Sequence, residues 1–295
     1  MARFYAGPRP FLRDEAEKLA AQRYDRISVR PLSPTIGAEI GGVSLAETID
    51  DETFADVKRA FLDWKVVFFR DQFVTSAQQA AFARRFGDLE VHPFLPSRND
   101  APEVIVFEKS EAIGGYENVW HADVTWRLEP SLGSLLRAVE VPDVGGDTLF
   151  ADMNAAWQGL SDDVKQRIDG MKAVHDFTRT FGRYLSADEL KKKQEEYPPA
   201  EHPVVRTHPE TGRRTLFVNG GFTSHLVGLE RADGESLLRL LCQQAAVPEY
   251  QCRFRWEPGS LALWDNRAVQ HYAASDYWPK RRVMERVTII GDRPV

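Results

Sequence analysis

The sequence predicts a mainly β protein with helical insertions, folded as an antiparallel sandwich or jelly roll. Short apolar or alternating runs recur along the chain, bounded by Gly, Pro and polar turns, as strands are. Helical periodicity is instead segregated into separate stretches, above all an insertion at about 153–200. No Pro-rich or Ser-rich linker divides the 295 residues, and all-β domains reach about 250 residues, so one core with decoration is the simplest organisation.

Taken in order, residues 1–26 form an N-terminal extension whose charged part predicts a short helix over 14–22, packed on the outside of the domain or on a neighbouring subunit. The single domain, 27–295, opens with an alternating strand at 27–30 and the turns of Pro31, Pro34, Gly37, Gly41 and Gly42. Over 50–64, Phe54, Val57, Phe61 and Leu62 recur at helical spacing, with acidic residues at the start suiting the helix dipole. A buried strand follows at 66–70, then a helix that Thr75 caps and Gly87 ends. The stretch 90–94 reads as a loop and 103–107 as a strand; the polar stretch 109–117, with Gly114 and Gly115, reads as a pocket lip. Strands at 134–140 and after the Gly145-Gly146 turn precede the insertion, whose helices span 154–160, 161–171 and 186–196 and are long enough to roof a pocket. A hairpin over 203–218 turns at Pro209-Glu210-Thr211-Gly212, a helix covers 234–245, and strands close the chain at 251–256, 260–264 and 282–290.

Composition narrows the function. A hydrophobic share of 43% supports a packed interior, while a net charge of −6 argues against a general nucleic-acid or anionic-membrane binder. An anionic ligand therefore needs a local basic pocket. Cys242 and Cys252 are too few for a disulfide framework and too far apart for a metal-type pair. With no apolar run near the ~18 residues of a membrane span and no secretory leader, the expected location is the reduced cytoplasm.

The stretch Trp120-His121-Ala122-Asp123-Val124-Thr125-Trp126 organises the chemistry. On an extended strand, His121 and Asp123 share one face with Ala122 turned away. Two His and one carboxylate on one side of a metal make the facial triad of non-haem Fe(II) oxygenases. A lone His-x-Asp in a chain with seven histidines is more often a hydrogen-bonded pair at a strand end, so a second histidine is required. The far strand, read as one piece over 261–272, offers His271, and Arg282 and Arg286 follow on one face of the next strand with Val283 and Val287 on the other. Two inward guanidinium groups are costly unless they meet anions, although Asp276, Glu285 and Asp292 are available as ordinary ion-pair partners. His175, His202, His208 and His225 lack a shared metal spacing and are read as structural, and the charged run 191–196 as a solvated helix face.

These words, with His-Pro-Val-Val-Arg-Thr-His-Pro-Glu-Thr-Gly at 202–212, Phe-Val-Asn-Gly-Gly-Phe-Thr at 217–223, Trp-Asp-Asn-Arg at 264–267 and Arg-Arg-Val-Met-Glu-Arg-Val-Thr at 281–288, resemble the taurine dioxygenase family of Fe(II)- and 2-oxoglutarate-dependent oxygenases. The resemblance runs from about residue 27 to the end and implies a double-stranded β-helix, or jelly-roll, core. It implies that His121, Asp123 and His271 bind Fe(II), that Arg282 and Thr148 hold the distal carboxylate of 2-oxoglutarate, and that O2 is the second cosubstrate. His92, Arg286 and the backbone N–H of Val124 would hold a substrate sulfonate, with Phe181 and Phe222 walling the pocket. The implied reaction hydroxylates the carbon next to sulfur of a small organosulfonate, taurine first among them, releasing sulfite and an aldehyde with succinate and CO2. Retention of Asp123 disfavours halogenation, because the related halogenases free a chloride site by replacing that carboxylate. Where taurine-specific members carry an aromatic hydroxyl and an amide for the amine, this chain has Leu95 and Glu117, which leaves alkyl sulfates and aryloxyalkanoates as alternative substrates. A catalytically silent jelly-roll binder of small acids is the alternative from another class. By analogy with the family, a homodimer or homotetramer is expected.

Overall fold

The computed structural model describes residues 7–98, 100–114 and 117–295; Gly115 of the expected lip and residues 1–6 of the extension lie outside the described residues. Its largest sheet has eight strands in the order Ser28–Pro31, Ala38–Gly41, Val66–Phe69, Leu261–Asp265, Ser131–Glu140, Arg282–Ile290, Ala101–Lys109 and Ser97–Arg98. Every pairing in it is antiparallel except that of Ala38–Gly41 with Val66–Phe69. A three-stranded sheet, ordered Gln251–Phe254, Thr148–Asp152 and Val269–Ala273, faces it. Phe68, Ala262, Trp264 and Met284 of the large sheet pack there with Phe150, Cys252, Phe254 and Val269 of the small one. Val66–Phe69 is buried on both faces, which explains its unbroken apolar run. On its outer side the large sheet is covered by the helices Asp51–Trp64 and Ser76–Arg84, through Val57, Phe61, Trp64 and Phe82.

The helix starts follow the capping signals. Asp50 accepts from the backbone N–H of Thr53, and Thr75 with Gln78, like Ser186 with Glu189, forms a capping box. The N-terminal helix begins earlier than expected, at Pro10–Ala20, because proline suits a first helical turn. It lies against the domain: Arg9 donates to the Tyr250 hydroxyl, and Glu15 pairs with Arg213 at 2.6 Å. Among the described residues, no helix is long and apolar enough to cross a membrane.

Three expectations need correction. Residues 120–126 do not form a strand: His121 makes an isolated antiparallel bridge to His271, and the chain turns at once through 123–126. The run 261–272 is two strands, because a tight turn with Ala268 N–H donating to Asp265 O at 3.0 Å carries the chain from the large sheet to the small one. The insertion is not purely helical either. Lys172–His175 pairs with Ala200–Pro203 and Thr223–Leu226 in a second three-stranded sheet, its short alternating run hidden between helices. The hairpin of Val205–Thr207 with Arg214–Leu216 forms as expected, with Gly212 at φ 68° in its turn.

Candidate active site

Beside the strand Val269–Ala273 of the small sheet, the backbones of His121 and His271 exchange both hydrogen bonds, at 3.1 and 2.8 Å, and their ring centroids lie 4.1 Å apart. The His121 Cβ lies close to Gly221, where an added Cβ would sit 3.0 Å from it, so a glycine at 221 suits this close approach. Asp123 enters from the turn, not from a strand. Val124 lies at φ 58°, a left-handed conformation that costs a β-branched residue roughly 1–2 kcal/mol and that reverses the chain immediately after the carboxylate. Nε2 of His121 and of His271 then stand 3.8 and 3.9 Å from Oδ1 of Asp123, and the three potential ligand atoms all lie within 4.8 Å of one another.

The protonation states suit a cation. His121 Nδ1 lies 2.8 Å from the carbonyl of Val119, which can only accept, so Nδ1 is the donor and Nε2 is the nitrogen turned toward Asp123. Burial, reinforced by His121, holds His271 neutral, well below the usual imidazole range. Burial alone would raise the Asp123 carboxyl, but the Arg286 guanidinium and the Ser134 hydroxyl hold it well below the usual carboxylate range. Two imidazole nitrogens and one anionic carboxylate on one side of a shared space are a donor set that fits a divalent iron-type ion.

Both arginines face this space. Arg286 donates from Nη1 to Asp123 Oδ1 at 2.8 Å, while its Nε has no partner. Arg282, 7% exposed, has neither Nε nor Nη2 hydrogen-bonded and lines a cavity of about 60 Å³ with Thr148, Trp264 and Met284. The carboxylates named as ordinary ion-pair partners are engaged elsewhere: Glu285 with Arg98 and Arg137, Asp292 with Arg206, and Asp276 with the Gly146 N–H. Thr148 accepts from the Trp256 indole at 2.9 Å, which leaves the hydroxyl proton of Thr148 to donate into the same cavity. Gly146, at φ +75°, lets the turn lie against Arg282, where a Cβ would sit 3.3 Å from its Cδ.

A second cavity of about 360 Å³ opens beside His121 and Asp123, lined by His92, Val124, Phe181, Phe222 and Arg286 together with Phe94, Leu95, Ile113 and Tyr184. His92 is buried, not the exposed loop residue its Pro neighbour suggests. Its Nδ1 accepts the Phe94 N–H at 3.2 Å, and burial, then Arg286, pulls its pKa down to about 3, so a neutral ring presents Nε2–H to the cavity. Phe181 stacks on Phe94 at 5.0 Å and lies 6.1 Å from Phe222. Leu95 lines the wall, and Glu117 is ion-paired with Lys109 at 2.9 Å.

Other residues around the site carry no signal of their own in the sequence. Asn266 hydrogen-bonds both backbone groups of Asp123. Thr125 is held by His175 at 3.0 Å, by Asn219 at 3.1 Å and, through its carbonyl, by His202 at 2.9 Å. The words Trp-Asp-Asn-Arg and Phe-Val-Asn-Gly-Gly contain both asparagines, but only the fold brings them to the turn.

The family model described as "Taurine catabolism dioxygenase TauD, TfdA family" matches residues 28–288. An "Alkylsulfatase" of Acinetobacter baylyi is 34% identical over 275 residues, 90% of this chain and 86% of that protein. An "Alpha-ketoglutarate-dependent sulfate ester dioxygenase" of Pseudomonas putida is 34% identical over 277 residues, 91% of each chain. The crystal structure of a taurine dioxygenase from Burkholderia xenovorans matches with a TM-score of 0.80 at 39% identity, over 92% of this chain and 93% of that one. The family match and the relatives agree: the chain belongs to the TauD, TfdA family and is a 2-oxoglutarate-dependent dioxygenase.

Proposed function

We propose that the two facing sheets are a double-stranded β-helix and that His121, Asp123 and His271 hold Fe(II) at its mouth. The iron and 2-oxoglutarate, when bound, supply O2 activation coupled to oxidative decarboxylation of the keto acid to succinate and CO2. Arg282 and Thr148 receive the distal carboxylate, because a desolvated guanidinium and a hydroxyl proton converge on one small cavity. Arg286, the His92 Nε2–H and the Val124 N–H receive the anionic head of the substrate beside Asp123. His92 contributes as a neutral donor, so its hold on the anion does not depend on protonation near neutral pH. Phe181, Phe222 and Phe94 enclose the carbon next to that head and keep water from it.

The substrate class follows from the far wall. A sulfonate whose adjacent carbon is hydroxylated collapses to sulfite and an aldehyde; a sulfate ester hydroxylated next to its ester oxygen releases sulfate and the aldehyde. Taurine satisfies the head, yet its ammonium would reach a wall of Leu95, Phe94 and Ile113 and a Glu117 already paired with Lys109. An alkyl sulfonate or alkyl sulfate buries its tail there instead. The observation that carries the function is the convergence of the three potential ligand atoms within 4.8 Å beside two cavities, with Arg282 on the smaller and Arg286 lining both.

The test is O2-dependent succinate formation with Fe(II), ascorbate and 2-oxoglutarate across taurine, hexanesulfonate, hexyl sulfate and phenoxyacetate, with sulfite and sulfate read separately. The expected outcome is substrate-dependent succinate that His121→Ala and His271→Ala abolish, larger with the six-carbon sulfur compounds than with taurine. Absence of succinate with every compound would leave the silent binder in its place, and turnover retained in the histidine variants would remove the proposed ligands.

A further inference from the structure

Asn266 occupies the corner at which the chain leaves Leu261–Asp265 of the large sheet for Val269–Ala273 of the small one. The turn is tight, and Asn266 is 1% exposed within it, its own N–H donating to Leu132 O at 2.9 Å. Its side chain reaches across to the Asp123 turn. Oδ1 accepts the Asp123 N–H at 2.6 Å, and Nδ2 donates to the Asp123 carbonyl at 2.8 Å and to the Ser131 carbonyl at 3.2 Å. Both backbone groups of one residue are thus held by one planar amide, and the donor and acceptor ends of that amide cannot be exchanged without losing all three bonds.

The location matters because the three ligands arrive by different routes. His121 and His271 fix each other through their reciprocal backbone hydrogen bonds, whereas Asp123 has no ladder partner. The residue after it is a valine at φ 58°, a conformation that persists only where surrounding contacts enforce it. Asn266, five residues before His271 on the same chain segment, supplies that enforcement. It therefore ties the position of the carboxylate to the strand that carries the second histidine.

We infer that Asn266 is a positioning residue for the metal site: its amide sets the backbone of Asp123, and through it the carboxylate, at the place the histidine pair requires. The inference rests on the metal reading above. An ordinary core asparagine would fill a corner and satisfy buried groups, affecting stability alone. A positioning residue changes metal affinity beyond any loss of stability, typically by about 10–100-fold for outer partners of ligands.

The experiment measures Mn(II) affinity by the EPR signal of the free ion, without 2-oxoglutarate or substrate, beside the melting temperature of each metal-free protein. Asn266→Ala is expected to weaken Mn(II) binding by about 10–100-fold. Asn154→Ala provides the matched control, since Asn154 is also buried and also donates to a backbone carbonyl, Arg214 O at 2.7 Å, away from the ligands. Its melting temperature should fall with Mn(II) affinity within about twofold of wild type, well under the effect expected of an outer partner. Asn266→Asp keeps the shape if the alanine variant does not fold, and it sets two effects against each other. The added negative charge attracts a dication, whereas loss of the Nδ2 donors releases the Asp123 carbonyl, so weaker Mn(II) binding identifies positioning by its sign. Unchanged or tighter binding in a folded Asn266→Asp, or equal weakening in Asn154→Ala, overturns the inference while leaving the ligands in place. Failure of the wild-type protein to bind Mn(II), or binding that survives His121→Ala, overturns the metal reading and this inference with it.

Discussion

The two sides of the active site are built from different materials. Around Asp123 and Thr125, hydrogen bonds arrive from Asn266, Ser134, Arg286, His175, His202 and Asn219, carried on segments far apart in sequence. Around Leu95, Phe94, Phe181 and Phe222, contact is aromatic and aliphatic, and the wall is made of loops and the short helix Thr178–Phe181. A directional polar network admits few substitutions, since removing one partner strands another in a buried place. An apolar wall tolerates exchange of shape. The arrangement therefore fixes the position of the acid groups and leaves the tail side open to variation.

The largest way to break this contrast lies at Arg282. Its Nε and Nη2 have no partner, and burial pulls its pKa down, so the protein without its cosubstrate carries an incompletely compensated cation. Arg282→Met should leave the melting temperature of the 2-oxoglutarate-free protein equal or higher. It should also raise the KM for 2-oxoglutarate by about 10²–10³-fold, the cost of removing one side of a buried charge pair. Steady-state rates with 2-oxoglutarate varied, alongside melts without it, check both halves; an unchanged KM would mean that the keto acid anchors elsewhere.

A smaller effect sharpens the contrast through pH. His202 braces the Thr125 turn as a buried ring, and burial holds its pKa near 4 against 6.5 in the unfolded chain, although the Arg127 and Thr125 carbonyls oppose the shift. Between these values the unfolded chain binds more protons, so stability falls as pH drops through 6.5 toward 4, by at most about 1.4 kcal/mol per pH unit from this one group. Urea unfolding at pH 7.5, 6 and 5 should show that slope, and His202→Gln, which does not titrate, should flatten it. A slope indifferent to the substitution would assign the acid sensitivity to other groups.

The sequence could disclose the polar side only partly, and for a physical reason. The convergence of His121, Asp123 and His271 was legible because two histidines and a carboxylate are a recognisable donor set, and the capped helices and the strand of Arg282 and Arg286 because periodicity records which face is buried. The strand expected at 120–126 failed because the pleat argument asks only that His121 and Asp123 share a face, and a bridge followed by a left-handed valine meets the same need. The break at Asn266 was hidden by an apolar run that reads straight through a corner whose residues are all buried. Thr125, His175 and His202 showed no pattern because their partners are distant in sequence, and hydrogen bonds between distant residues leave no period behind.

The tail side offers the mildest test, at Leu95. Its side chain lines the larger cavity beside Phe94 and Ile113 without a hydrogen-bonding role, so its contribution scales with apolar area buried against a substrate tail. Leu95→Ala should lower kcat/KM for hexanesulfonate or hexyl sulfate by about fivefold, corresponding to about 1 kcal/mol of lost contact. Taurine, which places an ammonium and no alkyl chain on that wall, should be converted at an unchanged rate. Because Leu95 does not line the smaller cavity of Arg282 and Thr148, the KM for 2-oxoglutarate should not move, and the split between the two substrates is the quantity to read. Equal losses on both sulfur compounds and taurine would mean that the residue shapes the head of the pocket, and the division between a fixed acid side and an adaptable tail side would fail at its simplest point.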